Sequence, residues 1–319
     1  MESGVVIYMD AIRGVNDAMA DESIDALDIT LLYPLLSFQT LLVFACISFT
    51  HVTRLSFLTH SLTPACTHRV NTFRRNDILK AFLRHFTTCP NVHAIQVVWS
   101  DQSNRPPPLS FFQLDSSSRV AVQFEEQPTD SLNNRFRPIL PIETPAVLSL
   151  DDDLEIACED LDFAYSVWQS SPQSLVGFTP RLVTWDEAHV GYRYQSSYKM
   201  VWWHGLYNMI LTKCCFMHKD FFSSYFSSLS EETLAFIDEH RNCEDIAMQF
   251  VVSNQTGGIP PVWVQSRFKD RGVKSGISQG KDHQEERSTC VTRLVKEFGH
   301  MPLTLTSHKA INAKKAWIF

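Results

Sequence analysis

Three adjacent carboxylates, Asp151, Asp152 and Asp153, follow the apolar run Ala146-Val-Leu-Ser-Leu150. Charge gathered at one point costs free energy unless a cation or hydrogen-bond donors compensate it. Carboxylate oxygens suit hard divalent ions, and Mg²⁺ or Mn²⁺ can bridge them to a diphosphate. An acidic turn or a helix N-terminus is the plain alternative, since acids also complement the helix macrodipole. A second acidic spot is Glu244-Asp245, at the head of the apolar run Ile246, Ala247, Met248, Phe250 and Val251. Read locally, that pair is ordinary helix capping. Asn134 and Arg135, shortly before the triplet, could bind a nucleotide or open a solvated helix.

The elements that must position these residues are legible around them. Ala146–Leu150 reads as a short buried strand, as does His93–Ser100, which ends on Ser100 and Asp101. A polar ligand meets a parallel sheet at such carboxyl ends. Ile78, Leu79, Phe82, Leu83 and Phe86 make a helical apolar face, with Asn76 or Asp77 as N-cap. Val120–Phe124 is a further strand, and Leu161, Phe163, Ala164, Val167 and Trp168 mark a helix over Glu159–Gln169. Strand and helix alternate, which predicts an α/β fold with a mainly parallel sheet. In the second half, Val176–Trp185 reads as strand and turn, the segment from Met209 to Phe216 as buried, and Glu231–His240 as a helix. The aromatic residues Tyr192, Tyr194, Tyr198, Trp202, Trp203 and Tyr207 offer either a sugar platform or core. Residues 265–287 are polar and basic and read as a mobile loop able to close over phosphate.

The chain has 319 residues, 44% hydrophobic and 20% charged, with a net charge of -7. This is a globular composition, and the acidic balance argues against nucleic acid as a partner. None of the eight cysteines forms a Cys-x-x-Cys pair, which argues against a zinc ribbon. One or two disulfides fit an oxidising compartment. Residues 1–30 are acidic, and residues 31–50 carry no charge. About 20 such residues span a bilayer, so 31–50 is a candidate membrane anchor, with a buried helix as the other reading. Residues 51–65 would then be a linker, 66–305 the folded domain and 306–319 a tail. Asn254-Gln-Thr256 is a glycosylation sequon, usable in a secretory lumen.

Taken in order, Asn71-Thr-Phe-Arg-Arg-Asn-Asp77, Val97-Val-Trp99, Asn134-Arg135, Asp151-Asp-Asp153, Asn242-Cys-Glu-Asp-Ile-Ala-Met248, Arg287-Ser-Thr-Cys290 and Gly299-His-Met-Pro-Leu303 resemble one family. They resemble the C-terminal catalytic domain of exostosin and exostosin-like glycosyltransferases, family 64, from about Asn71 to Pro302. Trp202-Trp203-x-Gly205 is more similar to plant and algal members. The resemblance implies a GT-A fold and retaining transfer from a nucleotide sugar to a glycan or glycolipid acceptor. It places Asn71, Thr72, Arg75, Ser100, Asp101, Asn134 and Arg135 at the nucleotide, with Asp151 and Asp152 near ribose and sugar. It makes Asp153 the ligand of Mn²⁺ or Mg²⁺. It places Asp245 beneath the donor sugar, Arg287 beside the diphosphate and Tyr207 near the acceptor. Cys243 and Cys290 match a family disulfide.

The sequence departs from the family in one place. Pro64-Ala-Cys-Thr-His-Arg-Val70 stands where an apolar strand is expected, and reads poorly as one. No second exostosin domain lies upstream, so a bifunctional heparan-type polymerase is not expected. The expectation is a metal-dependent retaining transferase, first with a UDP-N-acetylhexosamine donor. GDP-mannose used on sphingolipid glycans, and a silent nucleotide-sugar-binding homologue, are the alternatives. The expected setting is the Golgi or endoplasmic reticulum membrane with a luminal catalytic domain, a homodimer being one open arrangement.

Overall fold

The computed structural model describes residues 66–114, 117–196, 201, 204–271 and 283–315. The acidic segment, the candidate anchor and the linker therefore lie outside the described residues, as do Tyr198, Trp202 and Trp203. No helix among the described residues is long and apolar enough to cross a membrane.

In chain order the first half runs β1 (Cys66–Thr72), α1 (Asn76–Phe86), β2 (Val92–Trp99), α2 (Leu109–Phe112), β3 (Ala121–Glu126), a 3-10 turn (Leu132–Phe136), β4 (Ala146–Asp151), β5 (Leu154–Ile156) and α3 (Cys158–Ser170). The second half runs β6 (Val176–Gly177), β7 (Pro180–Asp186), β8 (Gly191–Gln195), β9 (Met209–Ile210) and β10 (Cys214–His218). It continues with α4 (Asp220–Ser228), α5 (Glu231–His240), α6 (Glu244–Gln255), β11 (Val262–Gln265), β12 (Phe268–Asp270), α7 (His283–Phe298) and β13 (Lys309–Ile311).

Eight strands form the main sheet in the order β13-β11-β6-β10-β4-β1-β2-β3. β10 pairs antiparallel with both its neighbours, and every other pairing is parallel. This is the α/β architecture with a mainly parallel sheet and flanking helices that a GT-A fold implies. Strands buried on both faces read as continuous apolar runs, as β2 and β4 do.

β1 overturns the expectation of a poor first strand. It lies between β2 and β4, with Asn71 in register with Asp151 and Thr72 with Trp99. Its polar residues are buried but neutral or paired. Burial pushes His68 down to about 3, so its ring is uncharged. Arg69 pairs with Glu125 at 2.6 Å, both side chains fully buried. Its remaining donors reach the carbonyls of Arg135 at 2.8 Å, Asn134 at 3.1 Å and Arg137 at 2.9 Å. A buried charge persists only when so compensated. Arg69 thereby anchors to the sheet the 3-10 turn that carries Asn134 and Arg135.

Two ends differ from the sequence reading. Arg75 occupies the N-cap of α1 without a side-chain capping bond, Asn76 opens the helix and Asp77 lies in its first turn. Residues 306–315 are not a loose tail. β13 forms the sheet edge beside β11, and Thr306 bridges Tyr207. Cys89, just beyond α1, is joined to Cys158, the first residue of α3.

Candidate active site

β1, β2 and β4 end side by side, so their carboxyl ends deliver Asn71 and Thr72, Ser100 and Asp101, and Asp151 to one rim. The Thr72 hydroxyl donates to Asp152 Oδ2 at 2.7 Å. Arg75 spans Asp152 and Asp153, meeting Asp153 Oδ2 at 2.7 Å. Arg135, on the 3-10 turn, reaches Asp151 Oδ1 at 2.5 Å and faces Glu244 Oε1 at 3.8 Å. With its amide oxygen turned toward Arg135, Asn71 accepts from Nε at 3.1 Å and Nη2 at 3.2 Å. Asn134 Nδ2 donates to Ser100 Oγ at 3.1 Å. The residues assigned to the nucleotide are therefore linked to one another and to the triplet.

Asp101 lies one step further out. It accepts from Arg74 Nε at 3.0 Å, Asn104 Nδ2 at 2.9 Å and the Ser103 amide at 3.0 Å. The Arg74 bond, then that of Asn104, holds its carboxyl down at about 2. Arg74 has φ 56°, a left-handed conformation that a non-glycine residue adopts at a cost. The loop between Thr72 and Arg75 is thus held out of its relaxed geometry at this rim.

The triplet carries uneven charge. Burial, with added repulsion from its two acidic neighbours, raises Asp152 to about 7 against the pull of Arg75 and Thr72. Burial and then the Asp151 charge raise Asp153. The Arg271 amide donates to the Asp153 carbonyl at 2.9 Å and ties the end of β12 to the acidic turn. Carboxylate oxygen is the donor chemistry that suits Mg²⁺ or Mn²⁺, so Asp153 fits such an ion by donor type, while the triplet does not converge as one ligand group among the described residues.

α6 brings the second acidic pair to the same rim. Its N-cap, Cys243, has φ 86°, a second strained non-glycine residue beside the site. Ten of its twelve residues, Glu244 through Ser253, are buried. Asp245 Oδ2 accepts from Arg287 Nη1 at 3.0 Å. Glu244 is raised to about 7 by burial and then by the Asp245 charge, with Arg135 opposing. Glu244 faces Arg135 and Asp245 faces Arg287, so these two ion pairs connect the acid pair of α6 to the 3-10 turn and to α7.

Two assignments need correction. Tyr207 is 1% exposed, and its hydroxyl accepts from the Trp263 amide at 2.8 Å while its one proton lies between the carbonyls of His308 at 2.6 Å and Pro261 at 3.1 Å. With its ring and hydroxyl committed to the core, it offers no surface to an acceptor. Cys243 and Cys290 come together as expected but remain thiols, and burial with their mutual hydrogen bond raises Cys243. The disulfide among the described residues is instead Cys89–Cys158, and no spacing signal marked it.

The structure also adds residues that local pattern did not single out. Tyr194, read only as one of several aromatics, accepts from Arg287 Nη1 at 2.9 Å. Arg69 and Glu125 are a second case, because their roles require a partner distant in sequence. Of the aromatic stretch, Tyr194 and Tyr207 are core, and Trp185 meets Tyr192 edge-on at 5.1 Å near the surface.

Residues 66–316 match the family described as Glycosyl transferase family 64 domain. Among similar proteins, the glycosylinositol phosphorylceramide mannosyl transferase 1 of Arabidopsis thaliana is 39% identical, over 78% of this chain and 77% of its own length. Exostosin-2 of Homo sapiens is 34% identical over 76% of this chain, a match that spans 33% of exostosin-2. The glucosamine inositolphosphorylceramide transferase 1 of Arabidopsis thaliana is 34% identical over 70% of this chain and 28% of its own length.

Proposed function

The chain belongs to glycosyltransferase family 64, and from that premise we propose that it moves a mannosyl residue from GDP-mannose to the headgroup glycan of an inositol phosphorylceramide. That it is a glycosyltransferase for a glycan or glycolipid follows from the family. The finer reading is carried by a relative matched over most of its own length, a mannosyl transferase named for a glycosylinositol phosphorylceramide. A UDP-N-acetylhexosamine donor is the second reading, favoured by the glucosamine transferases that share the inositolphosphorylceramide in their names.

The observation behind the chemistry is one rim where Arg75 meets the triplet and Arg287 meets Asp245. In the proposed reaction the acceptor oxygen forms a bond to the anomeric carbon on the face that the diphosphate leaves. The acceptor proton passes to the departing phosphate oxygen. Asn71, Thr72, Asn134 and Arg135 would orient the nucleotide, and Asp245 would face the positive charge that builds at the anomeric carbon. Arg287 would offset charge on the leaving diphosphate. Asp153 would hold Mn²⁺ or Mg²⁺, which supplies Lewis-acid neutralisation of diphosphate charge when bound. The Cys89–Cys158 disulfide and the exposed Asn254 sequon support a secretory lumen as the setting, and an anchor at 31–50 would keep the site near lipid.

Thermal-shift titration of the purified protein with Mn²⁺ and a panel of GDP- and UDP-sugars tests the donor, since ligands of the folded state raise the melting temperature by mass action. Stabilisation by GDP-mannose, followed by mannosyl transfer to inositol phosphorylceramide glycans, is the expected result. Response to UDP-N-acetylhexosamine alone selects the second reading. A folded protein that responds to no nucleotide sugar and transfers none overturns both.

A further inference from the structure

We infer that Tyr194 is the positioning residue that holds Arg287 in its working orientation beside Asp245, an inference that rests on the transferase reading above. Arg287 sits on α7 and is 9% exposed. Arginine has a long side chain with many rotamers, and only a forked, two-nitrogen contact fixes its plane by itself. Its contact with Asp245 uses one nitrogen, Nη1, at 3.0 Å. A single-point contact lets the guanidinium pivot.

Tyr194 removes that freedom in two ways. Its hydroxyl accepts from the same Nη1 at 2.9 Å, and its ring lies 5.0 Å from the guanidinium carbon. A cation over an aromatic face is attracted by the ring quadrupole, most strongly where water is excluded. Tyr194 is itself fixed, being 3% exposed. Its amide donates to Ser288 Oγ on α7 at 3.0 Å. Across the hairpin it pairs with Val183, whose amide and carbonyl are both bound by Asn208. The β7–β8 hairpin therefore sets the ring, and the ring sets the guanidinium.

The consequence lies on the other edge of Arg287. Its Nε is buried and has no partner among the described residues. An unpaired buried donor is costly and persists where a ligand is to meet it. Tyr194 and Asp245 share Nη1, which leaves Nε available to an incoming oxyanion. A pivoting Arg287 would offer that edge only part of the time. The loss would fall on the step in which leaving-group charge develops, and not on initial binding.

The test compares Tyr194→Phe, Arg287→Lys and the double variant, each first checked for a wild-type melting profile. Tyr194→Phe keeps the ring and deletes the oxygen, and so avoids the core cavity that Tyr194→Ala would open. It is expected to lower kcat about tenfold with donor KM within about twofold of wild type. Added to Arg287→Lys it should cause no further loss, because the two residues act as one unit. In ¹⁵N NMR the Arg287 Nη signals should be separate and slowly exchanging in the wild type and merge in Tyr194→Phe. Wild-type kcat in Tyr194→Phe, or losses that multiply in the double variant, overturns the inference. If the wild-type protein transfers no sugar, the transferase reading fails on its own. The NMR comparison then decides the positioning role, and unchanged Nη signals in Tyr194→Phe overturn it.

Discussion

Arg75 Nη1 lies 2.7 Å from Asp153 Oδ2, and the other arm of the same guanidinium meets Asp152. The cap position of α1 thus faces the acidic turn after β4, and the charge of the triplet is partly neutralised within the protein. Arg75 is about one-third exposed as a side chain, so water screens the pair and limits what it adds to stability.

Asp153→Asn keeps the side-chain shape and removes one of three neighbouring charges. Transfer is expected to fall by about 100-fold or more, with the melting temperature unchanged or slightly raised. Chelation of divalent ions should abolish wild-type transfer, and Mn²⁺ or Mg²⁺ should restore it. Kinetics across a metal titration, paired with thermal melts, check both outcomes. Transfer by Asp153→Asn at the wild-type rate would remove this residue from the site.

Asp245 and Arg287 are buried together, which decides how the pair is best tested. Asp245→Ala leaves Arg287 without its acidic partner, a change that costs about 3–5 kcal/mol and confuses lost folding with lost chemistry. Asp245→Asn retains an acceptor oxygen. It is expected to melt within a few degrees of the wild type while lowering kcat by about 1000-fold, measured by nucleotide release under saturating donor.

Glu244 gives a pH dependence with a definite sign. Burial raises its carboxyl in the fold from 4.5 to about 7, so the folded form holds a proton more tightly than the unfolded form. Its contribution to stability is therefore greatest below about pH 4.5 and is lost as the pH rises toward about 7. Asp101 has the opposite sign, held at about 2 by Arg74 and Asn104. Its contribution is present above about pH 4 and is lost as the pH falls toward about 2. Glu244→Gln should be more stable than the wild type at about pH 8 and show no gain near pH 4. Denaturant melts at the two pH values provide the comparison.

The Cys89–Cys158 disulfide closes a loop with a sequence separation of 69 residues. Loop-closure entropy of that length corresponds to about 4 kcal/mol, an upper figure where the unfolded chain keeps structure. Cys89→Ser should lower the melting temperature under oxidising conditions and leave no further drop on adding reductant. Peptide mapping of the native protein should find Cys89 joined to Cys158, with Cys243 and Cys290 alkylated only after unfolding. A Cys243–Cys290 bridge in the native protein would contradict the structure at that point.

Local pattern was enough wherever the signal lay in neighbouring residues. The apolar run before Asp151 gave β4, the spacing of Leu79, Phe82, Leu83 and Phe86 gave α1, and the ordered motifs gave the family. Burial of a strand or helix face repeats with the element's own period, so a single chain segment displays it. What depended on distant partners was decided only by the tertiary structure. β1 is a central strand because Glu125 neutralises Arg69 and because His68 is buried uncharged, and neither fact is visible in Cys66–Thr72 alone. Tyr207 and Tyr194 look alike in sequence. The first is enclosed by His308, Pro261 and Trp263, and the second is aimed at Arg287. Cysteine pairing followed the same rule. A disulfide needs two sulfurs in reach, and the end of α1 meets the start of α3 at Cys89 and Cys158.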